Sequence, residues 1–147
     1  TMASLLPGFT AVRDGGSVPS ATAITLDLDA IDNVDRSRPV ALVEVGYPSS
    51  AAVGATEDAQ ALFLDSLFAA IAPRRASFPL VVVSRLHDAG PVACAAEGAE
   101  LGEDDDAALA YRCSTGLRRA DGSAKPAWAR LFAGAAGLAQ GGTPPSL

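Results

Sequence analysis

Residues 40–50 read VALVEVGYPSS, a short apolar run that contains one carboxylate, Glu44, and ends in a turn. A continuous apolar run such as Val40 to Val45 is typical of a strand covered on both faces, as in a parallel sheet. Burying an ionised carboxylate without a partner is costly, so Glu44 near the end of this strand invites a functional interpretation. The alternative is a structural carboxylate that pairs with an arginine, or a residue exposed on an edge strand.

The segments that flank this strand alternate between helical and strand patterns. Residues 21–34 carry apolar side chains at helical spacing and predict an amphipathic helix. Thr56 is a candidate N-cap for a second helix that runs to about Ile71, with acidic residues in its first turn. Residues 78–86 (FPLVVVSRL) predict a second buried strand.

The remaining segments show weaker patterns. Residues 1–20 are rich in glycine and proline and predict mostly loop, although Thr1 to Leu6 is compatible with the last piece of a strand. Residues 89–125 predict a long irregular segment. Pro126 begins a last helix, a position where proline is well tolerated. Residues 141–147 predict a frayed tail.

The order of these elements predicts an α/β fold in which right-handed crossovers join parallel strands. Two predicted strands with three helices would leave exposed sheet edges and little independent stability. The sequence therefore indicates that further structure, from elsewhere, completes the sheet.

The composition excludes several classes of partner. The net charge is −6, and Lys125 is the only lysine beside ten arginines, so we expect no nucleic-acid binding. The chain contains no apolar run of about 18 residues, so we expect no membrane span. Hydrophobic residues make up 49% of the chain, which is enough for a sizeable core.

The two cysteines, Cys94 and Cys113, and the single histidine, His87, lack the close spacing of a metal site, so we expect no metal and no cofactor. Two interpretations remain open for the cysteines. They are either free buried thiols or a disulfide that closes a loop of roughly 20 residues, which would contribute about 3 kcal/mol. A disulfide would imply an oxidising compartment.

Several stretches, in matching order, resemble the C-terminal third of a (β/α)8 glycoside hydrolase barrel. VALVEVGYPSS, followed by a helix with Gln60 near its start, resembles strand seven and helix seven of retaining enzymes related to cellulases and β-galactanases. VVVSRLHD at 81–88 resembles strand eight, and STGLRRADGSAKPAW at 114–128 resembles the stretch that leads into the last helix. ASLLPGFTAVRD at 3–14 resembles the loop after strand six. The resemblance implies that residues 1–147 form a partial TIM barrel, from about the end of strand six to helix eight.

The resemblance implies that Glu44 is the catalytic nucleophile. A retaining glycosidase needs two carboxyl groups about 5–5.5 Å apart, one to attack the anomeric carbon and one to serve as acid and base. The implied reaction is double displacement on β-linked glycosides. Active sites of such barrels lie at the carboxyl ends of the strands, and Glu44 lies near such an end.

Four further residues are candidate substrate-binding groups: Tyr47, Arg85, His87 and Asp88. Tyr47 either lines the sugar site or is a turn tyrosine packed on the next loop. Arg85, His87 and Asp88 end the second strand. His87 and Asp88 either contact sugar hydroxyls or cap the strand and bind loop backbone.

Other polar or aromatic features receive structural interpretations. The acidic run 103–106 lacks the spacing of a calcium loop and predicts a solvated loop. We expect Trp128 to lie in the core, with its indole N–H hydrogen-bonded to the backbone. We expect Lys125 and Asp121 to be turn or cap residues.

The chain departs from the family pattern in two ways. The acid/base carboxylate of these enzymes follows an asparagine at the end of strand four, whereas the only asparagine here is Asn33. Residues 80–88 also lack the aromatic side chain that floors the sugar site. The chain alone is therefore not expected to be competent. We expect a carbohydrate ligand, and either the missing N-terminal barrel part or a second copy to cover the sheet edge.

The resemblance and the possible disulfide together predict an extracellular or periplasmic location. Two alternatives stand beside the hydrolase. The first is a non-catalytic carbohydrate-binding or interaction domain descended from such a barrel. The second is an independent small α/β domain whose match is accidental.

Overall fold

The structure is a computed structural model that describes residues 1–34 and 38–141. A three-stranded parallel sheet contains β1 (Met2–Leu5), β2 (Ala41–Val45) and β3 (Leu80–Val83), in the order β1-β2-β3. The described residues form six α-helices: α1 (Phe9–Arg13), α2 (Ile24–Val34), α3 (Glu57–Ile71), α4 (Pro91–Leu101), α5 (Asp106–Cys113) and α6 (Pro126–Ala139). Two short 3-10 turns span Ala51–Val53 and Ala72–Arg74. The predicted α/β class with parallel strands is confirmed.

The sheet is covered by helices on one face. Helices α1 and α2 connect β1 to β2, and α3 connects β2 to β3. Helix α3 packs between α2 and α6, and its predicted apolar stripe is buried in the core: Phe63, Leu64, Leu67, Phe68 and Ile71. Helix α6 approaches α3 closely because Gly134 has no side chain; a Cβ there would lie 2.0 Å from the Phe68 ring. β2 is the central strand because it pairs with β1 on one side and with β3 on the other.

The start of α3 forms as its sequence predicts. The Thr56 hydroxyl oxygen accepts a hydrogen bond from the Ala59 backbone N–H at 3.1 Å, so Thr56 is the N-cap. Glu57 and Asp58 lie in the first turn, where the helix dipole favours negative charge.

The prediction of a loop over residues 1–20 is wrong for Met2–Leu5 and Phe9–Arg13, which form β1 and α1. β1 has four residues and α1 has five, so neither is long enough to show a periodic pattern. The compatibility of Thr1 to Leu6 with a strand is confirmed, because β1 pairs with β2. The strand predicted over 78–86 is shorter in the structure, at Leu80–Val83.

The prediction of an irregular segment over 89–125 is also wrong, because α4 and α5 lie within it. Most residues of α4 are exposed, so its sequence carries no apolar stripe. The acidic run 103–106 is not simply a solvated loop. Asp105 caps α5 through a 2.7 Å bond from the Ala108 N–H, and Asp106 lies in its first turn. Of the tail predicted to fray over 141–147, all but Gly141 lies outside the described residues.

The second face of the sheet, which we call the open face, is not covered by helices in the described part of the chain. Its exposed apolar side chains are Met2, Val43, Leu80 and Val82. Both outer strands also border apolar grooves. The groove beside β3, between α3 and α6, has a volume of about 650 Å³ and includes Phe78, Val83 and Leu131 in its lining. No helix in the described ranges is long and apolar enough to cross a membrane.

Candidate functional site

An irregular register in β2 determines where Glu44 lies. Leu42 and Val45 are both fully buried on the helix-covered face, although strict alternation would put them on opposite faces. The pairing of β2 with β3 shifts between these two residues, so β2 contains one residue more than its neighbour there. Such bulges are over-represented beside active sites, where they re-aim a side chain. Here the extra residue leaves Val43 exposed and Glu44 half-buried between the two anchors.

Glu44 lines a small cavity at the carboxyl ends of the strands. The other lining residues follow β1 and β3 or belong to α5 and the segment after it: Leu6, Ser84, Arg85, Tyr111, Arg112 and Thr115. The cavity volume is about 10 Å³, which is room for about one water molecule. Within residues 1–34 and 38–141, no donor is hydrogen-bonded to the Glu44 carboxylate. Because β2 is the central strand, Glu44 is not a residue of an edge strand.

Arg85 is one of the two arginines that line this cavity, with Arg112. It follows the cis peptide bond after Ser84, and its guanidinium donates two hydrogen bonds to the Glu97 carboxylate, one of them 2.7 Å long. This hydrogen bonding raises the pKa of Arg85, and the charges of Glu44 and Asp88 add to that effect. The same bond lowers the pKa of Glu97. Arg85 therefore pairs with Glu97 and lines the same cavity as Glu44.

Helix α5 covers the cavity with Tyr111 and Arg112. The Tyr111 hydroxyl donates a 2.8 Å hydrogen bond to the Pro7 carbonyl, and burial raises the pKa of Tyr111. The Arg112 guanidinium stacks over the Phe9 ring at 4.6 Å. Both contacts tie α5 to the segment that follows β1, so the cover over Glu44 is built from α5 and that segment.

Lys125 occupies a buried cluster beside the cavity. Its Nζ atom donates hydrogen bonds to Ser49 Oγ at 2.7 Å, Asp88 Oδ1 at 2.7 Å and the Ser114 carbonyl at 3.1 Å. Burial lowers the pKa of Lys125, while the bond to Asp88 opposes that shift. Three acceptors satisfy the three N–H bonds of an ammonium, so the cluster holds a charged lysine. We call these four residues the Lys125 cluster.

The closing stretch 114–125 docks on the end of β3. The Leu117 N–H donates to the Arg85 carbonyl at 3.2 Å, and the Gly116 N–H donates to Asp88 Oδ1 at 2.9 Å. A Cβ at Gly116 would lie 2.2 Å from the backbone of His87, so this approach requires glycine. Gln60, buried in α3, donates through Nε2 to the Gly116 carbonyl at 3.1 Å. The stretch that resembles the end of a barrel is therefore an integral part of the site's wall.

The four candidate sugar-binding residues do not meet at one place. Arg85 lines the cavity with Glu44, whereas Tyr47, His87 and Asp88 do not. Tyr47 stacks on Phe63 and donates to the Pro19 carbonyl at 2.8 Å, which matches the packed-turn alternative. Asp88 binds backbone and Lys125, which matches the capping alternative. His87 is exposed and bridges to Arg118.

Cys94 and Cys113 form a disulfide, so the disulfide interpretation holds in the structure and the free-thiol alternative does not. The bond joins α4 to α5, and 19 positions separate the two cysteines along the chain. Because Arg112 precedes Cys113 directly, the disulfide connects α4 to the helix that covers Glu44.

Sequence reasoning misses three residues of this region. The prediction that Lys125 is a turn or cap residue is confirmed, because Lys125 is the N-cap residue of α6, but it does not include the buried ion pair with Asp88. Glu97 and Arg112 lie on α4 and α5, which the sequence pattern does not predict. The signal for Arg112 is the Asp105 cap of α5, followed by residues of high helix propensity.

No protein-family model matches the chain, and no curated protein is significantly similar to it in sequence.

Proposed function

We propose that this chain is the C-terminal part of a secreted, retaining β-glycoside hydrolase barrel, with Glu44 as the nucleophile. One observation carries the proposal: Glu44 lies at the carboxyl end of the central parallel strand, beside a register shift, with no hydrogen-bond donor on its carboxylate among the described residues. Carboxylates at this end of parallel strands are the usual catalytic groups of (β/α)8 enzymes.

The shape of the sheet supports the barrel part of the proposal. Three adjacent parallel strands in chain order, with helices on one face, are what three successive units of such a barrel would provide. The apolar open face, with Val43 and Val82, would then point into the barrel, where bulky apolar side chains pack in layers. The groove beside β3 would receive the next unit.

The missing N-terminal part of the barrel, which we call the partner, must supply the second carboxyl group. Glu97 is the other carboxylate near Arg85, but both of its oxygens already accept hydrogen bonds from that guanidinium. A carboxylate held in this way is a poor proton donor, because the pairing lowers its pKa. The missing N-terminal part of the barrel would supply the acid/base and enlarge the cavity around Glu44 to accept a sugar.

In the assembled enzyme, Glu44 would attack the anomeric carbon while the partner's carboxylic acid protonates the leaving oxygen. A covalent glycosyl-enzyme forms on Glu44. Water, deprotonated by the partner's carboxylate, then releases the sugar with its original configuration. The Cys94–Cys113 disulfide supports secretion, because disulfides persist in oxidising compartments.

The test uses the native assembly purified with this chain. We expect that it hydrolyses chromogenic β-glycosides, and that Glu44→Gln reduces the rate to background while circular dichroism stays unchanged. Glu100→Gln, an exposed glutamate on α4, is the matched control and should keep full activity. Equal activity of the wild type and Glu44→Gln would exclude the nucleophile role.

The small cavity favours a second candidate, a non-catalytic carbohydrate-binding or interaction domain. Room for one water near Glu44 and the engagement of Tyr47 and Asp88 in structural bonds support it. In that case a second copy of the chain would cover the sheet edge. Light scattering would report a dimer, and titration calorimetry would detect sugar binding that Glu44→Gln leaves unchanged.

A further inference from the structure

Helix α4 is attached to the rest of the protein along one narrow face. Cys94, Glu97 and Gly98 lie on that face at spacings of three and four residues, and most other residues of the helix are exposed. Cys94 is bonded to Cys113, and Glu97 binds Arg85. Gly98 lies against Leu109 of α5, where a Cβ would come within 2.7 Å of the leucine side chain.

The glutamate of this face reaches the site through Arg85. Glu97 follows Cys94 by one helical turn, so the position of the disulfide determines whether Glu97 can meet the guanidinium. Arg85 is also attracted by Glu44 and Asp88. Asp88 is engaged by Lys125 and by the Gly116 N–H. If Glu97 moved away from Arg85, the guanidinium could pair with Glu44, because no other described donor is hydrogen-bonded to that carboxylate.

We propose that Glu97 is a positioning residue for Glu44: it retains the Arg85 guanidinium beside the cavity, and the Cys94–Cys113 disulfide keeps α4 in place to do so. When the disulfide is reduced, α4 detaches and Arg85 pairs with Glu44. An ion-paired carboxylate is a weaker nucleophile, so reduction switches the site off. The catalytic consequence rests on the proposed function, whereas the change of partner does not.

The redox step is a simple exchange with a dithiol. The S–S bond between Cys94 and Cys113 breaks, and each sulfur gains one electron and one proton to become a thiol. The dithiol gives up two electrons and two protons and becomes a disulfide. Cys94 is half-buried whereas Cys113 is buried, so we expect the dithiol to attack at Cys94.

The test follows the pH titration of the Glu44 carboxyl carbon by NMR in the chain as it stands. The groups that surround Glu44 and affect this titration are Arg85 after β3, Tyr111 and Arg112 on α5, and, beyond Arg85, Asp88 and Glu97. Glu97→Gln removes the carboxylate that holds Arg85 and keeps its shape. Glu100→Gln removes an equal charge from the same helix without touching Arg85.

We expect the Glu44 titration to move to lower pH in Glu97→Gln, and also in the wild type reduced with a dithiol, compared with oxidised Glu100→Gln. Arg85→Met should move it to higher pH. If Glu97→Gln and Glu100→Gln titrate alike, Glu97 is not a positioning residue. If the reduced and oxidised chains titrate alike, the disulfide does not control which carboxylate pairs with Arg85.

The NMR titration does not require enzymatic activity, so the inference and the proposed function can fail separately. An assembly without activity whose Glu44 titration shifts as expected would contradict only the hydrolase. An active assembly whose rate is unchanged by reduction and by Glu97→Gln would contradict only the switch.

Discussion

Two polar groupings flank the carboxyl end of β3, and they are built in opposite ways. The Lys125 cluster is buried: the Lys125 side chain is 1% exposed and uses all three of its N–H bonds. The second grouping, Arg85 with Glu97 on α4, is 31% and 23% exposed. The first joins three loops that must stay together. The second joins one peripheral helix to the site.

The difference in burial determines what each grouping contributes. Removing one partner of a buried ion pair leaves the other charge without compensation, which costs several kcal/mol. An ion pair near solvent contributes much less, because water and salt screen it. We therefore expect the Lys125 cluster to determine stability, and the Arg85–Glu97 pair to affect mainly the electrostatics around Glu44.

Lys125→Met should produce the largest effect. It removes the ammonium that Ser49, Asp88 and the Ser114 carbonyl share, so the free energy of unfolding should fall by about 3–5 kcal/mol. Urea unfolding followed by circular dichroism measures this change. Arg85→Met, in the exposed pair, is the matched control and should cost about 1 kcal/mol or less. Equal losses in the two variants would remove the distinction between the groupings.

Replacing both cysteines by serine should have the next largest effect. The disulfide closes a loop whose ends are 19 positions apart, and the chain-entropy model gives about 3 kcal/mol for such a loop. Thermal unfolding of the double variant measures the loss, and the reduced wild type should unfold with it. A loss larger than that of Lys125→Met would mean that α4 is not peripheral.

The elements that pack against the core are predictable from the sequence. The stripe of α3, the Thr56 cap and the strand around Leu42 carry strong periodic or capping signals, because burial selects apolar side chains there. Helix α4 carries no such signal. It touches the protein through Cys94, Glu97 and Gly98, and three small or charged residues do not make a periodic apolar pattern.

The candidate site is predictable only where it lies on a strand. Glu44 is conspicuous because one charge interrupts an apolar run. Its neighbours Arg85 and Arg112 come from distant segments, and Glu97 meets Arg85 from α4, which the disulfide joins to α5. Whether Asp88 faces a sugar or binds Lys125 depends on the path of the closing stretch, which pair spacing in the sequence does not encode.

Glu97→Gln should have a small effect on stability. The variant keeps the shape of the side chain and loses the charge, so we expect a cost of about 1 kcal/mol or less at neutral pH. Because the amide can still accept one hydrogen bond from Arg85, the fold should persist. Urea unfolding beside Glu100→Gln isolates the effect of the ion pair from the effect of net charge. A loss comparable to that of Lys125→Met would show that the pair is structural after all.

The smallest expected effect is on how the free energy of unfolding depends on pH in acidic solution. Arg85 holds the pKa of Glu97 below its ordinary value of 4.5, so in mildly acidic solution the unfolded chain binds more protons at this position than the folded chain. The contribution of Glu97 to stability is therefore complete above that ordinary value and is lost as the pH falls through the lower folded value. Stability should decline more steeply in wild type than in Glu97→Gln over that window.

Urea unfolding at a series of pH values, from about 6 to about 3, measures both slopes. Other carboxylates titrate in the same range, so the quantity that matters is the difference between wild type and variant. Glu100→Gln should follow the wild-type slope. If the curves of wild type and Glu97→Gln stay parallel, the charge on Glu97 contributes nothing to folding, and the exposed pair differs from the Lys125 cluster even more than their burial implies.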